Sequence, residues 1–278
     1  MRVLILGGTG LLGKALVRGW RGDEVVAMGS RDVDIRDAAK VREIIAEAPP
    51  DWIVLAAAYT DVDGCERHPD LAFAVNRDGA ANVAETANQV RAKLVFLSSD
   101  YVFDGRKTTP YEVDDKRNPQ SVYGSSKAQA ELKLLEIVPD CCIARTSWVF
   151  GVDGKCFPDT ILRLAANRST LDVVNDQRGC PTYTVDLARA IIQLCRKNAS
   201  GIVHVTNAGD CTWFEFAREI VAASGLTSEI RPVSSQQVAR PAPRPAYSVL
   251  STTSLRQCGI EMPDWKDALR RYLEERKS

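Results

Sequence analysis

A glycine-rich segment near the start of the chain constrains the fold more than any other feature. Gly7, Gly10 and Gly13 follow the apolar run Arg2–Leu6 and precede an amphipathic stretch that is typical of a helix. Gly7 suits a tight turn, Gly10 lets backbone amides approach a pyrophosphate, and Gly13 permits close packing of the helix on the strand. The phosphates would lie against the positive end of that helix. A turn that binds nothing is the alternative, but the strand and helix on either side favour dinucleotide binding.

The first half of the chain alternates short apolar runs with longer mixed segments. Continuous apolar character is typical of strands buried on both faces of a parallel sheet. We therefore predict an α/β fold with a doubly wound, Rossmann-like parallel sheet. The predicted strands lie at residues 3–6, 25–27, 53–58, 94–97 and 143–144, and the predicted helices at 11–20, 38–47, 71–90 and 121–137.

The second half of the chain is less regular. Helices are predicted at residues 157–166, 185–195, 212–223 and 264–274, and strands at 171–174 and 202–205. Residues 238–249 are proline-rich, which predicts a loop. We expect residues 1–150 to form an NAD(P)-binding domain and residues 151–278 to form mainly a smaller substrate-binding lobe. A segment at about 171–205 is expected to return to the sheet.

Composition excludes several classes of protein. The 278 residues include 36 Lys and Arg and 36 Asp and Glu, so no overall charge favours nucleic acid or an anionic membrane. The apolar start is too short for a signal peptide, and no run approaches the ~18 apolar residues of a membrane span. The eight cysteines form no Cys-x-x-Cys pair, and the two histidines lack partners at ligand spacing. We expect a soluble, cytoplasmic protein with reduced thiols, no bound metal, and no nucleic-acid or membrane partner.

Two residues in the predicted helix at 121–137 indicate proton chemistry. Tyr123 and Lys127 are about one helical turn apart, so their side chains share a face, and a nearby ammonium stabilises a phenolate. The spacing alone also arises by chance. Ser98 and Ser99 follow the strand at 94–97, where a substrate carbonyl could be polarised, although such serines more often belong to turns. Together with the glycine segment, these residues favour a reductive active site.

The residues after the second predicted strand bear on the choice of cofactor. Ser30 and Arg31 offer a hydroxyl and a cation that suit a 2′-phosphate, whereas Asp32 is an acid of the kind that holds a ribose diol. We favour NADPH, with NADH as the alternative. Asp34 and Ile35 are placed to flank the adenine.

These motifs together resemble those of the extended short-chain dehydrogenase/reductases. More narrowly, Ser98–Gly105, Arg145–Gly151 and Val174–Thr182 resemble segments of the dTDP-4-dehydrorhamnose reductase family, and the resemblance covers nearly the whole chain. It implies NAD(P)H-dependent reduction of the 4-keto group of dTDP-4-dehydro-6-deoxy-L-mannose to dTDP-L-rhamnose. In that reaction the nicotinamide gives the hydride and Tyr123 gives the proton.

The resemblance also implies a role for each site residue. Ser99, Tyr123 and Lys127 would be catalytic, with Lys127 holding the nicotinamide ribose and lowering the pKa of Tyr123. Asn76 would support the site through a backbone contact. The implied cofactor-binding residues are Gly7, Thr9, Gly10, Leu11, Leu12, Gly13, Ser30, Arg31, Asp34, Ile35, Ala56, Ala57, Ala58, Tyr59, Asn76, Tyr123 and Lys127. The implied substrate-binding residues are Ser99, Asp100, Tyr101, Trp148, Asn175 and Arg244.

Other functions remain open at this point. A sugar-nucleotide dehydratase or epimerase would share the fold, but Tyr101 stands where a dehydratase needs a glutamate. A non-catalytic regulator that resembles the β subunit of methionine adenosyltransferase is a further alternative. Either a monomer or a homodimer is possible. Ala15 replaces a glutamate that holds a metal in the dimers of some family members, so we do not expect that metal-linked dimer.

Overall fold

The computed structural model describes residues 1–277. Its centre is a six-stranded sheet in the order β10-β5-β4-β3-β1-β2, and every neighbouring pair of strands is parallel. The chain runs outward from β1 to β2 and then resumes at β3 on the other side of β1. Ligands bind outside the carboxyl ends of the strands at such a reversal.

The elements follow in chain order. The strands are β1 (Arg2–Leu6), β2 (Glu24–Met28), β3 (Trp52–Leu55), β4 (Lys93–Ser99), β5 (Cys142–Thr146), β6 (Val149–Phe150), β7 (Thr170–Val174), β8 (Arg178–Gly179), β9 (Thr182–Tyr183), β10 (Gly201–His204), β11 (Cys211–Thr212) and β12 (Glu229–Val233). The helices are α1 (Leu11–Gly19), α2 (Ala38–Glu47), α3 (Val62–Arg67), α4 (Pro69–Phe73), α5 (Ala80–Val90), α6 (Val122–Ile137), α7 (Phe157–Ala165), α8 (Thr184–Arg196), α9 (Trp213–Ala223), α10 (Thr253–Gln257) and α11 (Trp265–Glu275).

Helices cover both faces of the sheet, as the doubly wound fold requires. One core joins α1 and α8 to side chains such as Val3 and Val54, and the other joins α2, α5 and α6 to side chains such as Leu4 and Ile53. Alternate residues of each strand therefore enter opposite cores, which is why the strand sequences are apolar throughout. The predicted fold class is confirmed.

A second lobe packs beside the sheet. Its core lies among α7, α9 and α11 and includes the buried aromatic rings of Phe150, Phe216 and Tyr272. The lobe has its own parallel pair, β7 with β12, whereas β10 joins the main sheet beside β5. The segment that returns to the sheet region thus starts at α8 rather than at β7. The division at residue 150 stays a prediction.

Several element boundaries differ from the prediction. Residues 71–90 are not one helix, because a π-helical segment, Ala74–Gly79, separates α4 from α5. The third strand ends at Leu55, and the alanines that follow leave the sheet to line a cavity. The helix α3 and the strand β12 were not predicted. Across residues 1–277, the structure contains no helix whose length and apolar character would let it cross a membrane.

Candidate active site

The glycine turn brings the ends of the first two strands together. Gly7 has a φ of +96°, and the amides of Gly7 and Gly8 both donate to the Met28 carbonyl at 2.8 Å. A Cβ atom on Gly13 would lie 2.1 Å from the Gly7 carbonyl oxygen. The close packing of α1 on the turn therefore requires glycine at residue 13, as its predicted role implies.

A cavity of about 420 Å³ opens beside this turn at the reversal of strand order. It contains most of the predicted cofactor residues, while Leu12 faces the core behind it. Gly10 precedes the first residue of α1 and has no side chain to cap it, so the first amides of the helix can meet a phosphate. The predicted residues that line the cavity are Gly7, Thr9, Gly10, Ser30, Asp34, Ile35, Ala56, Ala57 and Ala58.

The charged residues after β2 have distinct partners. The Asp32 carboxylate accepts the Gly29 N–H at 2.7 Å, so this acid is committed to the turn rather than to a ribose diol. Arg36 also lines the cavity, but its guanidinium is paired with Asp34 and lowers the pKa of that carboxyl. Arg31 is exposed, lies outside the cavity lining, and makes no hydrogen bond or ion pair with residues 1–277. The unpaired Arg31 can bind the 2′-phosphate of NADPH, whereas Asp32 is already engaged and is not free to bind the ribose diol of NADH.

Asn76 ties the cofactor cavity to the catalytic helix. Its Oδ1 accepts the Tyr59 N–H at 2.8 Å, and its Nδ2 donates to the Tyr59 carbonyl at 3.1 Å. The same Nδ2 donates to Ser126 Oγ at 2.9 Å, and Ser126 donates to the Tyr123 carbonyl at 2.7 Å. The structure therefore shows the backbone contact expected of Asn76. The π-helical segment carries this residue inward, a common use of such segments.

The start of α6 is fixed against the turn that follows β4. Ser121 Oγ accepts the Gly124 N–H at 3.1 Å and caps the helix. A Cβ atom on Gly124 would lie 2.2 Å from the Tyr101 carbonyl oxygen, so only glycine allows this approach. The rings of Tyr101 and Tyr123 meet edge to face at 5.7 Å. Tyr123 is thereby held beside the end of β4, where Ser99 lies.

Protonation in this site follows from burial. Burial raises the pKa of Tyr123, and the nearby Ser99 hydroxyl opposes the rise. Burial also lowers the pKa of Lys127 to about 7, with Glu131 acting in the opposite direction. Desolvation of the phenol is the largest influence on the pKa of Tyr123, and the expected lowering of that pKa by Lys127 stays a prediction. Lys127 Nζ lies 4.0 Å from the centre of the Phe96 ring and has no hydrogen bond to residues 1–277.

Asp100 differs in position from its predicted role. It was expected to contact substrate, but only 1% of the residue is exposed. Its Oδ1 accepts the Ser99 hydroxyl at 2.9 Å. Asp100 thus lies behind Ser99, and any effect on a substrate would pass through that hydroxyl.

A second cavity, of about 690 Å³, lies between α7, β7 and a proline-rich strap, which we define as residues 238–246. Arg244 lines it, together with Trp213 and Gln177. Asn175 is exposed outside the lining, and its Oδ1 accepts the Thr212 hydroxyl at 2.8 Å. The cavity has an arginine for an anion and aromatic and apolar walls for a ring, which suits a nucleotide sugar.

Trp148 stands next to this cavity in an unusual backbone conformation. Its φ is +46°, and its indole stacks on that of Trp213 with ring centres 3.4 Å apart. A Cβ atom on Gly179 would lie 2.6 Å from the Trp148 ring. A non-glycine residue in this conformation is uncommon and often marks a functional site.

Two parts of the site were missed by sequence reasoning. Asp63 accepts hydrogen bonds from Arg244 at 3.0 and 3.1 Å and from the Ala242 N–H at 3.2 Å, which fastens α3 to the strap. Glu131 and Arg145 form a fully buried ion pair behind Lys127. The one available signal was a charged residue inside the apolar strand β5, because such a residue needs a buried partner.

A parallel sheet with a glycine turn after its first strand, and a Tyr–Lys pair beside a strand-end serine, defines a nucleotide-dependent oxidoreductase of the short-chain dehydrogenase/reductase type. The family model of the RmlD substrate binding domain matches residues 1–278, and the chain belongs to that family.

Individual relatives cover the same full length. The chain is 42% identical over 279 residues to the spore coat polysaccharide biosynthesis protein SpsK of Bacillus subtilis, covering 100% of this chain and 98% of the relative. It is 41% identical over 275 residues to the dTDP-4-dehydrorhamnose reductase of Mycolicibacterium smegmatis, covering 96% and 84%. It is similar to the crystal structure of dTDP-4-dehydrorhamnose reductase from Bacillus anthracis in complex with NADP, with a TM-score of 0.96, 37% identity and 99% of each chain covered.

Proposed function

We propose that this chain is an NADPH-dependent reductase that converts dTDP-4-dehydro-6-deoxy-L-mannose to dTDP-L-rhamnose. The observation that carries the proposal is the placement of the Tyr123 phenol beside Ser99 at the end of β4, with Lys127 one turn along α6. Support comes from the M. smegmatis relative, which is named for this reduction, and from the B. anthracis structure, which holds NADP.

When bound, NADPH would supply the hydride to C4. Tyr123 and Ser99 would hold the carbonyl oxygen between them, and Tyr123 would give its proton to that oxygen as negative charge develops. A raised pKa suits this role, because the phenol stays protonated at neutral pH until an alkoxide, a much stronger base, forms beside it. Lys127 would donate to the nicotinamide ribose hydroxyls from its buried position.

The two cavities suit the two molecules that must meet at Tyr123. The 420 Å³ cavity would take the nucleotide part of NADPH, with Ser30 and Arg31 at the 2′-phosphate. The 690 Å³ cavity would take the dTDP part of the substrate, with Arg244 on a phosphate. Trp148 would pack against the deoxysugar ring.

The test is a pair of substrates that share dTDP and the 4-keto group but differ in sugar configuration. Purified protein is mixed with NADPH and either dTDP-4-dehydro-6-deoxy-L-mannose or dTDP-4-dehydro-6-deoxy-D-glucose, and the products are identified by NMR. The proposal expects NADPH oxidation and dTDP-L-rhamnose from the first, with a much smaller kcat/KM for the second. Failure to oxidise NADPH with either sugar would contradict it. If the protein preferred the D-glucose sugar, the assignment as a reductase would stand and the assigned substrate would change.

A further inference from the structure

Asp100 is a buried carboxyl group without a cation. Only 1% of the residue is exposed, and no Lys or Arg side chain among residues 1–277 forms an ion pair with it. Its Oδ2 is buried and accepts no hydrogen bond from residues 1–277, although the Ser248 hydroxyl is close enough to favour the ionised form. An ionised carboxylate in such a place is costly unless it is paired or protonated.

The Ser99 hydroxyl has one proton and more than one acceptor for it. Ser99 Oγ accepts the Tyr101 N–H at 3.2 Å and donates to Asp100 Oδ1 at 2.9 Å. The Tyr123 phenol is also within reach of the same hydroxyl. A hydroxyl offers one donor and two acceptor positions, so a Ser99 that donates to Asp100 cannot also donate to a substrate carbonyl.

We propose that Asp100 is a positioning residue that acts in its protonated form. The carboxyl O–H then donates to Ser99 Oγ, and the single proton of Ser99 turns toward the substrate carbonyl oxygen. Ser99 would accept from both Tyr101 N and Asp100, which fills its two acceptor positions. No proton leaves the enzyme in this step, since only the direction of one hydrogen bond is reversed. The inference rests on the proposed ketone reduction.

Among the titratable groups that face one another around Asp100, Asp100 is the one that titrates near neutral pH. Burial raises the pKa of Tyr101 in the same turn, of Tyr123 on α6, and of Cys180 after β8, so these groups stay uncharged. Ser248 does not titrate in this range. Burial raises the pKa of Asp100 itself to about 6. A carboxylic acid held neutral in an apolar site can serve as a hydrogen-bond donor.

The test compares Asp100→Asn with the wild type across pH 5.5 to 8. The asparagine amide donates to Ser99 permanently, so the variant keeps the active hydrogen bond at every pH. The ratio of kcat/KM, variant over wild type, is expected to rise about tenfold per pH unit above pH 6, up to a limit of about 10²–10³. The ratio cancels the titration of Lys127, which both proteins share. With Ser99→Ala in both proteins, the ratio is expected to become independent of pH.

The inference would be overturned if this kcat/KM ratio did not change with pH when Ser99 is present. It would also be overturned if the ratio rose equally with pH when Ser99 is replaced by Ala. Carbon-13 NMR of the aspartate carboxyls gives an independent readout in the wild type and in Ser99→Ala. A resonance near the protonated shift below pH 6 supports the inference, and an Asp100 carboxyl ionised throughout pH 5 to 8 overturns it, even if Asp100→Asn fails to fold. A wild type without reductase activity would instead contradict the proposed function.

Discussion

Glu131 and Arg145 form an ion pair whose side chains are both fully buried, with hydrogen bonds of 2.9 and 2.7 Å between guanidinium and carboxylate. Glu131 also accepts the Ser98 hydroxyl at 2.5 Å. The pair therefore joins α6, which carries Tyr123 and Lys127, to the ends of β4 and β5. It fixes the distance between the proton donor and Ser99 from behind the site.

Replacing Glu131 by Gln is expected to destabilise the fold strongly. The change leaves Arg145 charged and unpaired in the interior, which typically costs about 3–5 kcal/mol. Urea unfolding measures the effect. Glu43→Gln is the matched control, because it breaks an exposed pair with Lys40 and is expected to change stability little. Equal effects of the two substitutions would show that the buried pair has no special role.

Asp63→Asn is expected to raise the KM for the nucleotide sugar several-fold while kcat changes little. The carboxylate holds the strap over the 690 Å³ cavity through Arg244 and Ala242. Arg244 lowers the pKa of Asp63 to about 2, so the Asp63 carboxylate that holds the strap stays charged at neutral pH. Asp70→Asn, an exposed acid on α4, is the control. An unchanged KM in Asp63→Asn would show that the contact between Asp63 and the strap does not affect substrate binding.

Lys127 makes stability depend on pH in a direction that can be worked out. Its pKa is about 7 in the folded protein and near its usual 10.5 when unfolded, so between these values the folded state binds fewer protons. The free energy of unfolding should therefore rise with pH, by at most about 1.4 kcal/mol per unit.

Denaturation of wild type and Lys127→Met at pH 7 and pH 8.5 measures the contribution of Lys127 to the pH dependence of stability. The wild type is expected to gain stability relative to the variant as pH rises. Lys133→Met on the same helix is the control, since the Lys133 side chain is 42% exposed. A difference between wild type and Lys127→Met that is independent of pH would show that Lys127 stays protonated in the fold.

Arg31→Ala is expected to lower kcat/KM for NADPH at least about tenfold while leaving kcat/KM for NADH nearly unchanged, because the loss is that of one charged contact to phosphate. Arg36→Ala is the comparison, since that guanidinium is already paired with Asp34. If kcat/KM for NADPH fell selectively in Arg36→Ala and not in Arg31→Ala, Arg36 rather than Arg31 would be the residue that contacts the phosphate.

Local patterns were sufficient for the sheet and the cofactor turn. The apolar runs of β1 and β3 and the spacing of Gly7, Gly10 and Gly13 depend on residues that are neighbours in sequence. The strand β12 was missed because it contains Pro232 and is mostly exposed, so it has no apolar pattern. The break before α5 was missed because the inward turn of Asn76 is set by Tyr59 and Ser126.

The charged contacts of the site could not be predicted for a related reason. Asp63 and Arg244 are 181 residues apart, and nothing in either local sequence names the partner. Glu131 looks like an ordinary helix-surface acid until the sheet places Arg145 behind it. Tyr123 and Lys127 were recognisable because a helix alone sets their spacing.

The most direct test of the account is single-turnover reduction by Tyr123→Phe with NADPH and dTDP-4-dehydro-6-deoxy-L-mannose. Loss of the phenol proton should slow hydride transfer by about 10²–10⁴ while the Kd for NADPH stays within about twofold of the wild type. Tyr247→Phe, near the strap, is the control. A Tyr123→Phe enzyme that transfers hydride at the wild-type rate would contradict the assignment of Tyr123 as the proton donor.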